Sequence, residues 1–395
     1  MESYGLYSGF EKLEKHKITA EISREALAHN YKLLLSRTPG CEHICVVKAD
    51  AYGHVADICV RELIGLGCRF FAVSCIEEAI AVRKICLDES IDAHVLILGY
   101  TDPALARVLS ENDIIQTVLS RENAEALAQC AKEAFCRIRV HVAVDTGMNR
   151  IGVSACSEAE CIRAADEIEE IMKLDTLVVE GMFTHFARSD EEGSVTMSSH
   201  SHTTLQGRRF VRVKELLLSK GISLFTHACN SAAAVRFPGF AFDAVRLGIM
   251  LYGVYPSRHV ERIGLKPVMK LKTVVAHVHT VPAGETVSYG GTYKAQTETS
   301  VATLPIGYAD GFIRAYTGAA VTVHTNSGAK RACVVGRICM DQCMIDVSGI
   351  DVRAGDEVVL FGDDENDLSR LAALANTIEY ECLCLISARV PRIKK

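Results

Sequence analysis

HICVVK (residues 43–48) and VLILG (residues 95–99) are two of eight short apolar runs that decide the fold of this chain. Neither run alternates between apolar and polar residues, which is typical of parallel strands covered on both faces. The other six predicted strands cover residues 70–74, 114–118, 139–146, 179–186, 224–230 and 243–248.

Helical patterns separate these strands, for example at residues 57–66, 77–85, 121–134 and 157–172, with Ser120 as a predicted N-cap. Eight strands with crossover helices in about 210 residues predict an α/β fold of the (β/α)8 TIM-like barrel type. An open, doubly wound sheet has the same strand pattern and stays possible at this point. No G-x-G-x-x-G follows a strand, which disfavours the dinucleotide-binding version of that sheet.

The pattern changes after Gly264, where short alternating runs are separated by Gly or Pro turns. Such runs predict a mainly-β domain, interrupted by one helix at residues 367–376. We therefore expect a barrel domain at 18–263 and a C-terminal β domain at 264–395. Residues 1–17 are expected to pack on the second domain.

Composition excludes several classes of protein. The 395 residues are 49% hydrophobic and 23% charged, enough apolar material for a large core. The net charge of −6 argues against a nucleic-acid or anionic-membrane partner. No run approaches the ~18 apolar residues of a membrane span, and the first residues lack a signal-peptide core. These features predict a soluble, cytoplasmic protein.

The 16 cysteines are scattered and include no Cys-x-x-Cys. Cys41, His43 and Cys45 could suggest a zinc site. A buried free cysteine behaves as a small hydrophobe, however, and Cys45 continues into an apolar run. We therefore predict reduced core thiols and no metal.

In a parallel barrel, functional side chains collect where the strands end. Lys48 closes the first predicted strand. A cation is costly to bury there, so the lysine pKa should fall, as imine formation requires. An ordinary solvated lysine is the alternative. Other polar residues or turn glycines at the predicted strand ends are Tyr52, Arg150, His185, Asn230, Ser231, Arg246 and Gly248.

VVKADAYGH (residues 46–54) resembles the pyridoxal-phosphate attachment motif of the alanine racemase family. Eight further blocks resemble the family and follow its order. They are DTGMNRIG (145–152), THFARSDE (184–191), HACNSAA (227–233), FDAVRLGIMLYG (242–253), SYGGTY (288–293), LPIGYADG (304–311), GRICMDQ (336–342) and ISARVPR (386–392). The resemblance covers residues 16 to 393. It implies a barrel plus a β domain, pyridoxal 5′-phosphate as cofactor, and a homodimer whose active site is shared between chains.

The resemblance also implies catalytic roles. Lys48 would carry the cofactor and act as one of two racemisation bases, and Tyr289 of the partner subunit would be the other. Two bases are needed because the α-proton leaves one face and returns to the other. Arg246 would face the pyridine nitrogen, with His185 hydrogen-bonded to it.

The remaining roles concern binding. Arg150 would pair with the substrate carboxylate. The cofactor, chiefly its phosphate, would be held by Tyr52, Asn230, Ser231, Gly248 and Ile249. The site entrance would be lined by Met340 and Asp341 of the other chain, together with Tyr308.

Two positions depart from the family pattern. Ala143 stands where the family often has a carbamylated lysine that holds the carboxylate-binding arginine, so a bound anion could orient Arg150 instead. Ala388 stands where the family usually has a tyrosine that touches the phosphate and borders the substrate side chain. The prediction is therefore an amino-acid racemase acting on alanine and also accepting serine.

Four other functions share part of this sequence pattern. A dedicated serine racemase, related to those of vancomycin resistance, is also consistent with Ala388. A non-catalytic pyridoxal-phosphate barrel protein would lack both the β domain and Tyr289, and a basic decarboxylase would not need SYGGTY. An aspartic protease needs two Asp-Thr-Gly copies or a small symmetric dimer, and residues 145–147 are the one copy present.

Overall fold

The computed structural model describes residues 17–193 and 200–395. The strands, in chain order, are β1 (Ile18–Ile22), β2 (Glu42–Val46), β3 (Phe70–Val73), β4 (His94–Ile97), β5 (Ile115–Val118), β6 (Ile138–Asp145), β7 (Val153–Ser154), β8 (Leu177–Phe183), β9 (Phe225–His227), β10 (Ala244–Leu247), β11 (Met269–Val274), β12 (His277–Val281), β13 (Thr286–Val287), β14 (Tyr293–Lys294), β15 (Thr299–Leu304), β16 (Ala320–Thr325), β17 (Gly328–Val335), β18 (Cys343–Asp346), β19 (Glu357–Phe361) and β20 (Arg392–Lys394). The right-handed α-helices are Arg24–Arg37, Ala56–Gly65, Ile76–Asp88, Ala106–Glu111, Arg121–Glu133, Glu158–Met172, His202–Ser219, Ser231–Arg236, Asp367–Ala375 and Glu379–Cys384.

Eight parallel strands form a closed barrel, which confirms the predicted fold class. They follow the order β2, β3, β4, β5, β6, β8, β9 and β10, and β10 pairs with β2 to close the ring. Every residue of β3, β4 and β5 except His94 is buried, because helices cover the outside of the barrel and side chains fill its interior.

The second domain is built on a mostly antiparallel sheet, as predicted for a β domain. Its strand order is β12, β15, β18, β17, β16, β19, β11, β1 and β20. The predicted helix at 367–376 is found at Asp367–Ala375. The short helix Glu379–Cys384, which follows it, was not predicted.

The strand β1 corrects one detail of the predicted domain division. We assigned Ile18–Ile22 to the barrel, but β1 pairs antiparallel with β11 and parallel with β20 in the second sheet. Sheet pairing joins segments that are distant in sequence, and a local pattern does not reveal it. Residues 1–16, which were expected to pack on the second domain, lie outside the described part.

The N-cap predicted at Ser120 is present in the structure. The Ser120 hydroxyl accepts a hydrogen bond from the backbone N–H of Asn123 at 3.2 Å, which confirms it as an N-cap. Among the helices of residues 17–193 and 200–395, none has the length and apolar character needed to cross a bilayer.

Candidate active site

A cavity of about 510 Å³ opens where the barrel strands end. All nine predicted site residues of the barrel domain line it, which are Lys48, Tyr52, Arg150, His185, Asn230, Ser231, Arg246, Gly248 and Ile249. The structure therefore brings together residues that are up to about 200 positions apart, as the barrel topology requires.

Lys48 does not lie in a strand but two residues beyond β2, at the start of a left-handed turn. Ala49, Asp50, Ala51 and Tyr52 all have positive φ angles of 51–55°. Non-glycine residues in this conformation are strained. Hydrogen bonds from surrounding groups hold the turn in place.

Two side chains supply these bonds. Glu78 accepts a hydrogen bond from the Ala49 N–H at 2.6 Å and others from the backbone and hydroxyl of Ser74. The His54 Nδ1 lies 3.0 Å from the carbonyl oxygens of both Ala51 and Tyr52.

The half-buried Lys48 amine lies near charged groups of both signs, the guanidiniums of Arg150 and Arg246 and the carboxylate of Glu78. Burial, and after it the charge of Arg150, lower the pKa of Lys48 from its usual value. The amine is therefore neutral in a larger fraction of molecules than an exposed lysine would be, which favours both imine formation and proton abstraction.

Elsewhere on the cavity wall, neutral polar groups surround a small cradle at Gly248. The Ser231 hydroxyl accepts a hydrogen bond from the Gly248 N–H at 2.7 Å. A Cβ added to Gly248 would lie 2.7 Å from the Tyr52 hydroxyl and 3.8 Å from that of Ser231. Burial raises the pKa of Tyr52, so its phenol stays a neutral donor.

This cradle fits the phosphate of pyridoxal phosphate. Hydroxyls and backbone N–H groups at a turn are suited to phosphate oxygens, and the glycine leaves open the space that a side chain would take. Lys48 supplies the amine that the cofactor aldehyde requires, in the same cavity.

Asn230 has a different local function from the hydroxyls. Its Oδ1 caps the helix Ser231–Arg236 by accepting from the Ala233 N–H at 3.0 Å, and it also accepts from the Ser189 hydroxyl at 2.9 Å. Asn230 therefore fixes the helix that carries Ser231 while bordering the cavity.

Arg246 lies beneath the cavity and is only 3% exposed. In the described part of the chain its five hydrogen-bond partners are uncharged, namely the carbonyls of Thr184, His227 and Ala228 and the imidazoles of His185 and His227. Burial without a compensating carboxylate lowers the pKa of Arg246 to about 10.

The predicted contact between His185 and Arg246 is present but long, with Nδ1 at 3.3 Å from Nη2. The shorter contact comes from His227, whose Nδ1 lies 2.7 Å from Nη1. Sequence reasoning missed His227, although a histidine inside the apolar run at 224–230 was a signal for a buried polar partner.

Arg150 is exposed at the rim of the cavity, at the end of a loop held by Asp145. The Asp145 Oδ1 accepts from the N–H groups of Gly147, Met148 and Asn149 at 2.9–3.1 Å. Asp145 therefore orders a turn, and Ala143 is a buried methyl that borders the cavity without any polar atom to hold Arg150.

The remaining predicted residues belong to the second domain and do not line this cavity in a single chain. Tyr289 is 71% exposed and Met340 is 54% exposed, while Tyr308 and Ala388 are also exposed. Asp341 accepts a hydrogen bond from Arg389 at 2.8 Å. On the same domain, Ile378 and Tyr380 do line the cavity, and neither was predicted.

Tyr380 packs near Tyr52, with ring centroids 6.1 Å apart. Of the residues weighed for a zinc site, His43 contacts Thr38, with its Nε2 2.8 Å from the Thr38 hydroxyl.

Comparisons with known proteins agree on one family. The family description "Alanine racemase, N-terminal domain" matches residues 22–256, and "Alanine racemase, C-terminal domain" matches residues 268–394. The alanine racemase of Clostridium novyi (strain NT) is 38% identical over 384 residues, covering 95% of both chains.

Solved structures agree as well. The structure of alanine racemase from Clostridium difficile 630 matches with a TM-score of 0.86 and 37% identity, covering 96% of each chain. A histidine racemase from Leuconostoc mesenteroides subsp. sake matches with a TM-score of 0.81 and 27% identity, over 97% of this chain and 99% of that one. The chain therefore belongs to the alanine racemase family and is a pyridoxal 5′-phosphate-dependent isomerase.

Proposed function

We propose that this protein interconverts L- and D-alanine by a two-base mechanism. The observation that carries the proposal is the convergence of three groups in one cavity. These are the Lys48 amine with its lowered pKa, the cradle around Gly248, and the buried guanidinium of Arg246.

The phosphate would be held by Tyr52, Ser231 and the backbone of Gly248 and Ile249. The chemistry that pyridoxal phosphate supplies when bound is an electron sink that acidifies the α-proton of an attached amino acid. Arg246 would lie at the pyridine nitrogen. Because a guanidinium is a donor only, it disfavours a proton on the pyridine nitrogen and so limits the electron withdrawal by the ring. Limited electron withdrawal favours return of the substrate α-proton to the α-carbon.

Lys48 would hold or release the proton on one face of the substrate. Its neutral amine can accept a proton, and the lowered pKa keeps this form accessible. The second base would be the phenol of Tyr289 from the partner subunit, acting on the other face. The high exposure of Tyr289 in a single chain supports this role, because a side chain that completes a neighbour's site must project from its own domain.

Arg150 would bind the substrate carboxylate through its planar pair of donors. Its guanidinium is reached from the rim, and its charge also helps to lower the pKa of Lys48. With Ala143 beneath the loop, orientation of Arg150 would come from the turn ordered by Asp145 and from a bound anion.

Serine is proposed as a second substrate, and a dedicated serine racemase is the alternative. Ala388 carries no ring that could border the substrate side chain. The related fold of a protein named histidine racemase supports the view that this scaffold accommodates different amino acids. The relative rates with alanine and serine distinguish the two proposals.

The test of the cofactor assignment is borohydride reduction of the purified enzyme followed by peptide mass spectrometry. We expect the reduced adduct on Lys48, within residues 46–54, and loss of the cofactor absorbance band in Lys48→Ala. The exposed Lys84→Ala variant is the matched control and should keep both the band and the adduct.

A second arm tests the cradle. Gly248→Ala should weaken cofactor binding by about tenfold or more, because the new methyl enters the space beside the Tyr52 hydroxyl. Gly65→Ala is its control, since a Cβ at that helical glycine meets no atom within 4 Å. In the borohydride experiment described above, a reduced adduct on another lysine would refute the assignment of Lys48.

A further inference from the structure

Two buried imidazoles form a line beneath Arg246. The Arg246 Nη1 lies 2.7 Å from the His227 Nδ1, and the His227 Nε2 lies 3.0 Å from the His141 Nδ1. His227 is 0% exposed and His141 is 2% exposed, so water does not compete for these contacts. The line leads from the cavity into the interior of the barrel.

The donor chemistry fixes the direction of every hydrogen bond in this line. An arginine side chain has donors and no acceptor, so the His227 Nδ1 must accept. In a neutral imidazole the other nitrogen then carries the hydrogen, and the His227 Nε2–H donates to the His141 Nδ1. His141 therefore carries its own hydrogen on Nε2.

Both imidazoles are held neutral by their surroundings. Burial, followed by the charge of Arg246, lowers the pKa of His227 well below its usual range. Burial, followed by the charges of Arg139, His94 and Arg246, lowers the pKa of His141 to about 3.

The barrel provides a fitted position for the His141 ring. His141 on β6 lies opposite Gly181 on β8, and a Cβ at Gly181 would approach the imidazole Cε1 and Nε2 to 2.8 Å. Aromatic rings lie on two sides, with centroids of Phe225 at 6.0 Å and Phe70 at 6.2 Å. The ring orientation is thus set by packing, independently of Arg246.

We propose that His141 is a positioning residue: by accepting from the His227 Nε2–H, it stabilises the tautomer that Arg246 requires and thereby helps to hold the guanidinium in place. Without the acceptor on His141, the His227 Nε2–H would be buried without a partner, which lowers the cost of moving the hydrogen to Nδ1. That nitrogen would then face an arginine N–H across 2.7 Å, donor against donor, and Arg246 would lose its shortest side-chain contact. The consequence for catalysis rests on the proposed placement of Arg246 at the cofactor ring, whereas the tautomer assignment does not.

The direct test is solid-state NMR of the holoenzyme with ¹⁵N-labelled histidine. We expect the Nδ1 atoms of both His227 and His141 to show the shift of an unprotonated imidazole nitrogen, and both Nε2 atoms that of a protonated one. A protonated Nδ1 on His227 in the wild-type enzyme would overturn the proposal without any variant.

Substitutions extend the test to function. Asparagine keeps an acceptor near the position of the histidine Nδ1, whereas leucine has none. We expect His141→Leu to mix the His227 tautomers and to lower kcat about tenfold with KM little changed, by analogy with outer-shell partners of metal sites. His141→Asn should retain the His227 tautomer and most of kcat.

His94→Leu is the control for a nearby barrel histidine that is exposed and lies outside the line. His94 packs on Phe70 at 5.3 Å and contacts Arg139, outside the line to Arg246. If His94→Leu and His141→Asn lose as much kcat as His141→Leu, His141 is merely structural. If borohydride reduction gives no adduct on Lys48 while the histidine tautomers are as expected, the catalytic consequence proposed through Arg246 is refuted. The tautomer assignment then still holds.

Discussion

At the scale of single residues, the proposal for substrate choice rests on Ala388. The methyl of Ala388 is exposed and does not border the cavity, whereas Tyr380 and Ile378 do. Burial raises the pKa of Tyr380, so its phenol is a neutral hydrogen-bonding group at the cavity wall. We propose that the missing ring at residue 388 leaves room for water, which would satisfy a substrate hydroxyl at small cost.

We therefore expect measurable racemisation of serine beside alanine. Ala388→Tyr should lower the serine-to-alanine ratio of kcat/KM, by up to about 10², the limit for an apolar pocket that rejects a hydroxyl. Ala388→Phe is the matched control that restores the ring without its hydroxyl. A wild-type enzyme inactive on serine, or an unchanged ratio in the tyrosine variant, would contradict the role of Ala388.

The residues of the site differ in how far sequence alone reveals them. Lys48 and Arg246 follow from motifs at strand ends, and the barrel then brings them together. His227 was hidden because a histidine in an apolar run has several explanations until its partner is known. Tyr380 was missed because the approach of the second domain to the barrel is not encoded in any local pattern.

At the scale of elements, the left-handed turn after β2 is the feature that sequence could not predict. Ala-Asp-Ala-Tyr is compatible with an ordinary right-handed turn, and the opposite hand is imposed by Glu78 and His54. The eight barrel strands, in contrast, were predicted to within a few residues, because continuous apolar runs report burial on both faces.

The strain in this turn makes a specific prediction. Ala49 is exposed with φ of 52°, a region in which glycine has no steric penalty. Ala49→Gly should therefore leave the free energy of unfolding unchanged or raise it by up to about 1 kcal/mol.

The control is Ala126→Gly, at an exposed position of the right-handed helix Arg121–Glu133. This substitution should lower the free energy of unfolding by about 1 kcal/mol. Both values come from denaturant unfolding of the two variants beside wild type. Equal losses at the two positions would mean that the turn is not strained at Ala49.

At the scale of the whole molecule, the division of the candidate bases between two domains predicts a shared site. Lys48 lies in the barrel, while Tyr289 is exposed on the second domain and does not line the cavity of its own chain. A twofold dimer would bring each Tyr289 to the partner's Lys48.

Mixing inactive Lys48→Ala with inactive Tyr289→Phe tests this arrangement. Random exchange of subunits should restore about a quarter of the wild-type activity, because each hybrid dimer contains one complete site. Lys84→Ala mixed with Lys48→Ala should keep about half of the wild-type activity whether or not subunits exchange, and is the reference for losses caused by the mixing itself. Absence of recovery after verified exchange would argue that each chain contains its own site.

The pairing of β1 has a consequence for synthesis on the ribosome. This strand is made early, with Ile18, Ala20 and Ile22 facing the core, yet its neighbours β11 and β20 are made much later. At ~5–20 residues per second, the stretch from β1 to β20 takes roughly 20 to 75 s to translate. Until β11 is made the nascent barrel carries an unpaired apolar strand, and until β20 is made one edge of β1 stays open, so chaperones would be expected to shield this surface until translation ends.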